Sequence, residues 1–226
     1  MASDKVFSMI EPISKKDRIV VMMREAILSG SIESGEAIVE SRVAQQLGVG
    51  QPLVREALIE LEHQGFVQRV PYRGTYVTKL SADDVEQIFR LRVEMEALAT
   101  EWAKQNATAE DVAALKNFAE AMKQAGKKLD LPKFYENDLA FHRKIWQMSG
   151  NKYLTEALER VVIPLFAFFL MKKTREVKSY VHSADEHTKI AAAFAKSDAT
   201  TLRKLMQDSM EGWKEDMLRK LRSEDE

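Results

Sequence analysis

Cysteine is absent from these 226 residues. That excludes a disulfide framework, a thiolate metal site and a cysteine nucleophile, and a chain with no disulfide to protect suits a reducing cytoplasm, the expected compartment. Long hydrophobic runs are missing too. The most apolar stretch, 161–171, falls well short of the roughly 20 residues that span a bilayer, and it contains Pro164. The first residues, MASDKVFSMIEP, lack the continuous apolar segment of a secretory signal, so neither membrane insertion nor secretion is expected. Nor is there an excess of one charge. Lys+Arg 34 against Asp+Glu 35 leaves a net charge of −1, with no bulk attraction to nucleic acid or lipid. A balanced total still leaves room for a few well-placed cations. What remains is a 45% hydrophobic fraction, ordinary for a globular chain, and enough residues for one large domain or two small ones.

Glycine is scarce and unevenly placed. Gly30, Gly35, Gly48, Gly50, Gly65 and Gly74 punctuate the first part, whereas only Gly126, Gly150 and Gly212 follow residue 81. The change of texture marks two domains, 10–80 and 81–222. In the first, 15–29 carries Ile19, Met23, Ala26 and Ile27 on one helical stripe and stops at Gly30. A short helix over 40–47 closes at Gly48. A third opens near Pro52, with Val54, Ala57, Leu58 and Leu61 as its buried stripe. Segments 66–70 and 75–78 read as strands joined by Pro71-Tyr72-Arg73-Gly74.

The second part reads as a bundle of six helices. Ser81-Ala-Asp-Asp84 caps the first, with Ile88, Leu91, Met95, Leu98 and Trp102 expected to face inward. Thr108-Ala-Glu-Asp111 caps the next. Helices over 131–148 and over 152–173, the latter expected to bend at Pro164, come after. Ser183 is expected to cap a helix to about 196, and Asp198 one reaching 221, with a frayed acidic tail over 223–226. The fold class is therefore mainly α: an N-terminal winged helix-turn-helix with a small β-hairpin, then an all-α helical bundle.

In a winged helix-turn-helix the third helix enters the major groove and the hairpin rests on the neighbouring backbone or minor groove. Arg55 stands one turn inside that helix, within reach of a phosphate or a guanine edge. Arg73 sits at the wing tip beside Gly74, which lets the backbone approach DNA, and Arg42 at the start of the second helix could hold phosphate. Read as surface chemistry, Arg55 would instead pair with Glu56 or Glu60, and Arg73-Gly74 would be turn residues.

In the bundle, Asp138 and His142 are four apart and project from one helix face, the spacing of two ligands on one metal. His187 lies near the start of a later helix. Carboxylate with imidazole suits Zn²⁺, Ni²⁺ or Mn²⁺; the alternative is an Asp–His hydrogen bond on a polar stripe. Arg92 falls on the inward side of its helix, where a charge needs a partner. That partner is either an organic acid held by a bidentate grip or Glu96. One of Tyr135 and Asn137 should line the same cavity. Phe166, Phe168 and Phe169 read as core or dimer packing; should they face the cavity, its ligand carries an apolar portion. His182 is expected in an exposed loop and His63 on the surface.

Residues 24–78 resemble the DNA-binding domain of the GntR family of bacterial transcription regulators. The matching landmarks are Ile27-Leu-Ser-Gly30, Gly35, Leu47-Gly-Val49, Val54-Arg-Glu-Ala-Leu58, Leu61, Gly65-Phe-Val67 and Arg73-Gly-Thr-Tyr-Val77. The resemblance implies operator contacts by Arg55, Arg73 and Gly74. Where the family usually has Ser-Arg-Thr-Pro before its Val-Arg-Glu, this chain has Gly50-Gln-Pro-Leu53, and Ser41 takes the place of a basic residue, with Arg42 next. Gln51 can read an adenine edge instead, which implies a shifted operator sequence.

Residues 81–215 resemble, more diffusely, the ligand-binding domain of the FadR-like branch. The landmarks are Arg92-Val-Glu-Met-Glu96, Asp138-Leu-Ala-Phe-His142, Glu186-His187, Ala193 through Asp198, and Leu205-Met206. Many members bind a divalent metal through Asp, His, His and a fourth His. The first three fall on Asp138, His142 and His187 and the fourth on Ser209, a poor ligand. The metal (Zn, Ni or Mn) would thus keep open positions for water or an effector carboxylate, or the site is metal-free and the histidines meet the effector directly. The resemblance also implies that Arg92 faces the effector.

Taken together these readings predict a homodimeric regulator, expected to be a repressor, that binds a palindromic double-stranded operator and responds to a small organic acid contacted by Arg92, Asp138, His142, His187 and Ser209. The competing readings are a metal-dependent enzyme with an accessory winged domain, and a ligand-free dimerisation module. With few cations to meet phosphate, DNA affinity should fall steeply with salt.

Overall fold

The computed structural model describes residues 14–172 and 177–224. The expected domain start at residue 10, the end of the 152–173 helix and the last two tail residues lie outside the described residues. The chain divides into two units, one comprising residues up to His63 and Val67–Val77, the other Gln64–Phe66 and everything from Thr78 onward.

The first unit opens with α1 (Lys15–Ser29), whose N-cap Ser14 accepts from the Asp17 amide at 3.1 Å, meeting one of the orphan donors of the first turn. Its buried face is Ile19, Val20, Met23 and Ile27. Strand β1 (Ala37–Ile38) leads into α2 (Glu40–Leu47) and α3 (Gln51–His63). Gly48 joins the two helices with φ 63°, a left-handed conformation that costs a side-chain-bearing residue about 1–2 kcal/mol. The expected stripe of α3 is the observed one: Val54, Ala57, Leu58 and Leu61 are fully buried. The wing is β2 (Val67–Val70) antiparallel to β3 (Gly74–Val77), with Val67 opposite Val77 and Val70 opposite Gly74. The sheet has a third strand that the sequence did not announce. β1 pairs on the far side of β3, Ala37 opposite Tyr76 and Ile38 opposite Thr75; two residues are too few to show alternation.

The second unit consists of α4 (Ala82–Asn106), α5 (Ala109–Lys128), α6 (Leu131–Met148), α7 (Lys152–Lys172), α8 (Val177–Lys196) and α9 (Ala199–Glu224). Both expected capping boxes form. Ser81 and Asp84, like Thr108 and Asp111, exchange side-chain-to-amide bonds of 2.9–3.1 Å. Asp198 caps α9 by accepting from the Thr201 amide at 2.7 Å, and α9 continues through Glu224 rather than fraying after 221. α4 packs against α9, α6 and α7, and α5 against α6 and α8. Trp146, Phe89, Phe134, Phe141, Phe168 and Phe169 form the fully buried centre. α7 runs through Pro164 as one helix.

Two expectations are corrected. The inward face of α4 is Val85, Phe89, Arg92, Val93, Glu96 and Thr100, not the all-apolar stripe of Ile88, Leu91, Met95, Leu98 and Trp102; Leu91 is 50% exposed. Arg92 stands inward as expected, and Glu96 meets it there. Ser183 does not cap a helix either. It lies buried within α8, which starts six residues earlier at Val177. This puts His187 in the middle of that helix, and His182, though exposed, on a helix rather than in a loop.

Candidate functional site

In the first unit Gln51 and Arg55 are one turn apart on α3, both exposed; Arg42 is exposed on α2, and Arg73 and Gly74 are exposed at the wing tip. Gly74 has φ 109°, a backbone open to glycine and little else. Beside them Tyr72 is fully exposed with φ 62°. Arg55 does not pair with Glu56 or Glu60. Its Nη2 and Nε donate to Glu40 Oε2 at 2.8 and 3.1 Å, so the pairing that sequence reasoning looked for on the same helix comes from α2.

The second unit contains a cavity of about 550 Å³, within the range of small-molecule sites. It collects Arg92 from α4, Asp138 and His142 from α6, His187 from α8 and Ser209 from α9. Of the Tyr135–Asn137 alternatives, Tyr135 lines it. Phe166 and Phe169 both pack in the core and face the space, with Phe89 and Trp213 beside them, while Phe168 does not reach it. His182, Lys178 and Glu186 line it along one side of α8.

The polar floor is organised from behind. His142 Nδ1 lies 3.1 Å from Glu96 Oε2, and His187 Nδ1 lies 2.7 Å from the Ser183 carbonyl. Facing acceptors, both Nδ1 atoms carry the proton, which leaves each neutral imidazole with its Nε2 lone pair turned to the cavity. The two Nε2 atoms are 3.2 Å apart, and Asp138 Oδ1 is 3.0 Å from one and 3.5 Å from the other. Asp138 Oδ1 is buried without a hydrogen-bond donor. Burial holds the His142 imidazole below its ordinary value, against the pull of Glu96, and so keeps it neutral. Burial works to raise the Asp138 carboxyl, and the Arg92 guanidinium works to lower it. Two lone pairs and a carboxylate oxygen converging with no donor between them form a socket for a cation. Asp138, His142 and His187 are the group among the described residues that could hold a metal ion.

Glu96 is the residue sequence reasoning undervalued. It was legible as Arg92's intrahelical partner, and its Oε1 does accept from Arg92 Nε at 3.3 Å. Its Oε2 accepts from Trp146 Nε1 at 2.7 Å and faces His142. One fully buried carboxylate thereby ties the cavity's arginine to a ligand of the cation socket. The Arg92 guanidinium lies over the Phe166 ring at 5.0 Å and the Phe89 ring at 5.8 Å, a cation–π arrangement that fixes its plane while only Nε is spent on Glu96.

Two family models match the chain: "Bacterial regulatory proteins, gntR family" over residues 15–77 and "FCD domain" over residues 87–212. Among curated relatives, the HTH-type transcriptional regulator YdhC of Bacillus subtilis is 29% identical over 140 residues, 62% of either chain. The gluconate operon transcriptional repressor of Bacillus licheniformis is 25% identical over 207 residues, 88% of this chain and 85% of that one. The match spans less than two thirds of the B. subtilis protein's length. Among solved structures, Escherichia coli McbR/YncC superposes with a TM-score of 0.70 at 21% identity, over 92% of this chain and 98% of that one.

Proposed function

Because the chain belongs to the gntR family of bacterial regulatory proteins and carries an FCD domain, we propose that it is a transcription regulator, acting as a repressor, whose operator binding is set by a small carboxylate effector in the helical unit. The observation that carries the effector half is the convergence of Arg92 with Asp138, His142 and His187 in one cavity. An enzyme reading is not favoured, since the family is one of regulatory proteins. A ligand-free dimerisation module would have no use for an arginine stacked on two rings whose Nη groups meet no partner among the described residues.

Gln51, Arg55, Arg73, Gly74 and Arg42 form the DNA-contacting set. A homodimer presents two such sets to the half-sites of a palindrome. In the other unit Asp138, His142 and His187 would hold a divalent Zn, Ni or Mn ion; the orphaned Asp138 Oδ1 and the two Nε2 lone pairs are the donors such an ion needs. When bound, the metal supplies a Lewis-acidic point for a carboxylate oxygen. Arg92 grips the same carboxylate through its free Nη edge, and Ser209 offers a hydroxyl nearby. Phe89, Phe166, Phe169 and Trp213 face an apolar portion of the ligand, and Lys178, His182 and Glu186 along α8 are placed to meet its polar groups. The effector regulates only insofar as it binds the DNA-competent and incompetent states with different affinity.

The test begins with duplex selection from a random library by the purified protein. Arg55→Ala and Arg73→Ala should each weaken retention of the selected duplex; unchanged retention in both refutes the DNA surface. A thermal-shift panel of alkyl, aryl and sugar acids, with and without Zn²⁺, Ni²⁺ or Mn²⁺, then identifies the effector class. Stabilisation that persists in Arg92→Met, or purified protein with no stoichiometric metal and no metal-dependent shift, overturns the corresponding part.

A further inference from the structure

Arg55 and Glu40 form a forked ion pair across the two helices of the helix-turn-helix. Glu40 Oε2 accepts from Nη2 at 2.8 Å and from Nε at 3.1 Å, and Oε1 lies 3.3 Å from Nε. The arginine side chain is 58% exposed and the glutamate 25%. Glu40 is the first residue of α2, where the helix dipole favours a carboxylate, so it is the better anchored partner. A guanidinium has two edges suited to paired acceptors, and Glu40 occupies the one formed by Nε and Nη2. The Nη1/Nη2 end is left for DNA.

Beside a cation meant for DNA, a carboxylate is costly unless it does something a neutral residue would not. A free arginine on a long stem pairs with whichever phosphate comes near, and that attraction carries no sequence information. Held at its Nε edge, Arg55 loses this freedom and presents one edge in one direction, the condition for a bidentate base or phosphate contact in register. The carboxylate also repels phosphates that arrive in any other register, the like-charge penalty by which interfaces reject wrong partners. Resting on the DNA-binding reading above, we infer that Glu40 is a specificity-determining positioning residue that restrains Arg55 so that operator DNA is distinguished from other DNA.

The experiment uses the full-length protein, the duplex enriched from a random library by the wild type, and the same duplex with its sequence scrambled. Affinities for both are measured across a salt series for wild type, Glu40→Gln, Glu40→Asp, Arg55→Ala and Arg55→Ala/Glu40→Gln. Glu40→Gln should tighten scrambled binding by about threefold and steepen its salt slope by about 0.9, the signature of one more neutralised phosphate. The ratio of scrambled to selected Kd should fall by about tenfold, the upper range of what ordering one long side chain costs. Glu40→Asp keeps the charge but shortens the reach, and it should lower the ratio without steepening the slope; it also serves should Glu40→Gln fold poorly. In the Arg55→Ala background Glu40→Gln should leave the ratio unmoved.

A ratio unchanged by both Glu40 substitutions overturns the inference, as does a parallel loss on both duplexes, which marks a merely structural glutamate. An equal drop of the ratio without Arg55 also overturns it. If no duplex is enriched at all, the DNA-binding reading itself fails and takes this inference with it.

Discussion

Replacing Glu96 with leucine is the sharpest test of how the helical unit is held together. The carboxylate is fully buried and accepts from Trp146 Nε1 at 2.7 Å and Arg92 Nε at 3.3 Å, with His142 Nδ1 at 3.1 Å. Leucine strands all three donors. Each buried donor left unpaired costs roughly 1–3 kcal/mol, and a buried cation stripped of its partner about 3–5 kcal/mol. These losses share one network and do not add, so the expected destabilisation is about 4 kcal/mol. At this chain length each kcal/mol moves Tm by about 2–4 °C, which puts the helical unit's transition about 8–16 °C lower. Arg92→Met/Glu96→Leu removes both charges together; its cost should drop to about 2 kcal/mol, the share of the Trp146 and His142 donors. Circular dichroism at 222 nm during heating and in urea reads both. The acid limb supplies an internal check. Burial works to raise the Glu96 carboxyl, but His142, Arg92 and the Trp146 N–H outweigh it and hold it below its ordinary 4.5. A carboxyl depressed by folding contributes stability that is present above its unfolded value and lost as pH falls through the lower folded one. The gap between wild type and Glu96→Leu should therefore narrow only below about 4.5. A single variant within about 1 kcal/mol of wild type, or a double variant as damaged as the sum of the singles, refutes the reasoning.

Asp111 should report the α5 cap. Its carboxyl is drawn from 3.8 to about 2 by the Lys144 ammonium and the Thr108 amide and hydroxyl, so the Tm deficit of Asp111→Asn should persist from neutral pH to about 4 and shrink only between there and about 2. A deficit already closed at about pH 4 contradicts that. Tyr72 holds φ 62° with its ring in solvent, a conformation asparagine tolerates better. Tyr72→Asn should raise the urea midpoint by an amount equivalent to about 0.5–1 kcal/mol, and a lower midpoint would mean that the ring makes a stabilising contact.

Much of the local structure was legible because its causes are local. Ser81, Thr108 and Asp198 announced helix starts through side chains that bond amides three residues on, and Gly48 announced the helix-turn-helix junction through its backbone freedom. The α3 stripe was read correctly because every member is apolar. α4 was misread in part for the converse reason: Arg92 was placed inward with Glu96 as a candidate partner, but that Glu96 is buried too shows only through Trp146 and His142, which come from another helix. The Ser183-Ala-Asp-Glu186 pattern imitates a capping box, yet the residues before it, from Val177, are themselves helical, and Ser183 gives its carbonyl to His187.

For the site, residue identity and spacing nominated Arg92, Asp138, His142, His187 and Ser209, and the cavity gathers all of them. No spacing could show that His142 and His187, 45 positions apart, place their Nε2 atoms 3.2 Å from each other, or that Glu96 joins the arginine to that pair. The absence of cysteine determined from sequence alone that any metal here must be held by carboxylate and imidazole. The near-zero net charge proved uninformative about DNA, since it totals charges and says nothing of where they lie. Composition and short-range patterns determine which groups are available and where helices begin. Which face of α4 is buried, that His142 turns its Nε2 to the cavity and that Arg55 is tethered were decided by tertiary packing, because the partners come from other helices: Glu96 for His142 and Glu40 for Arg55.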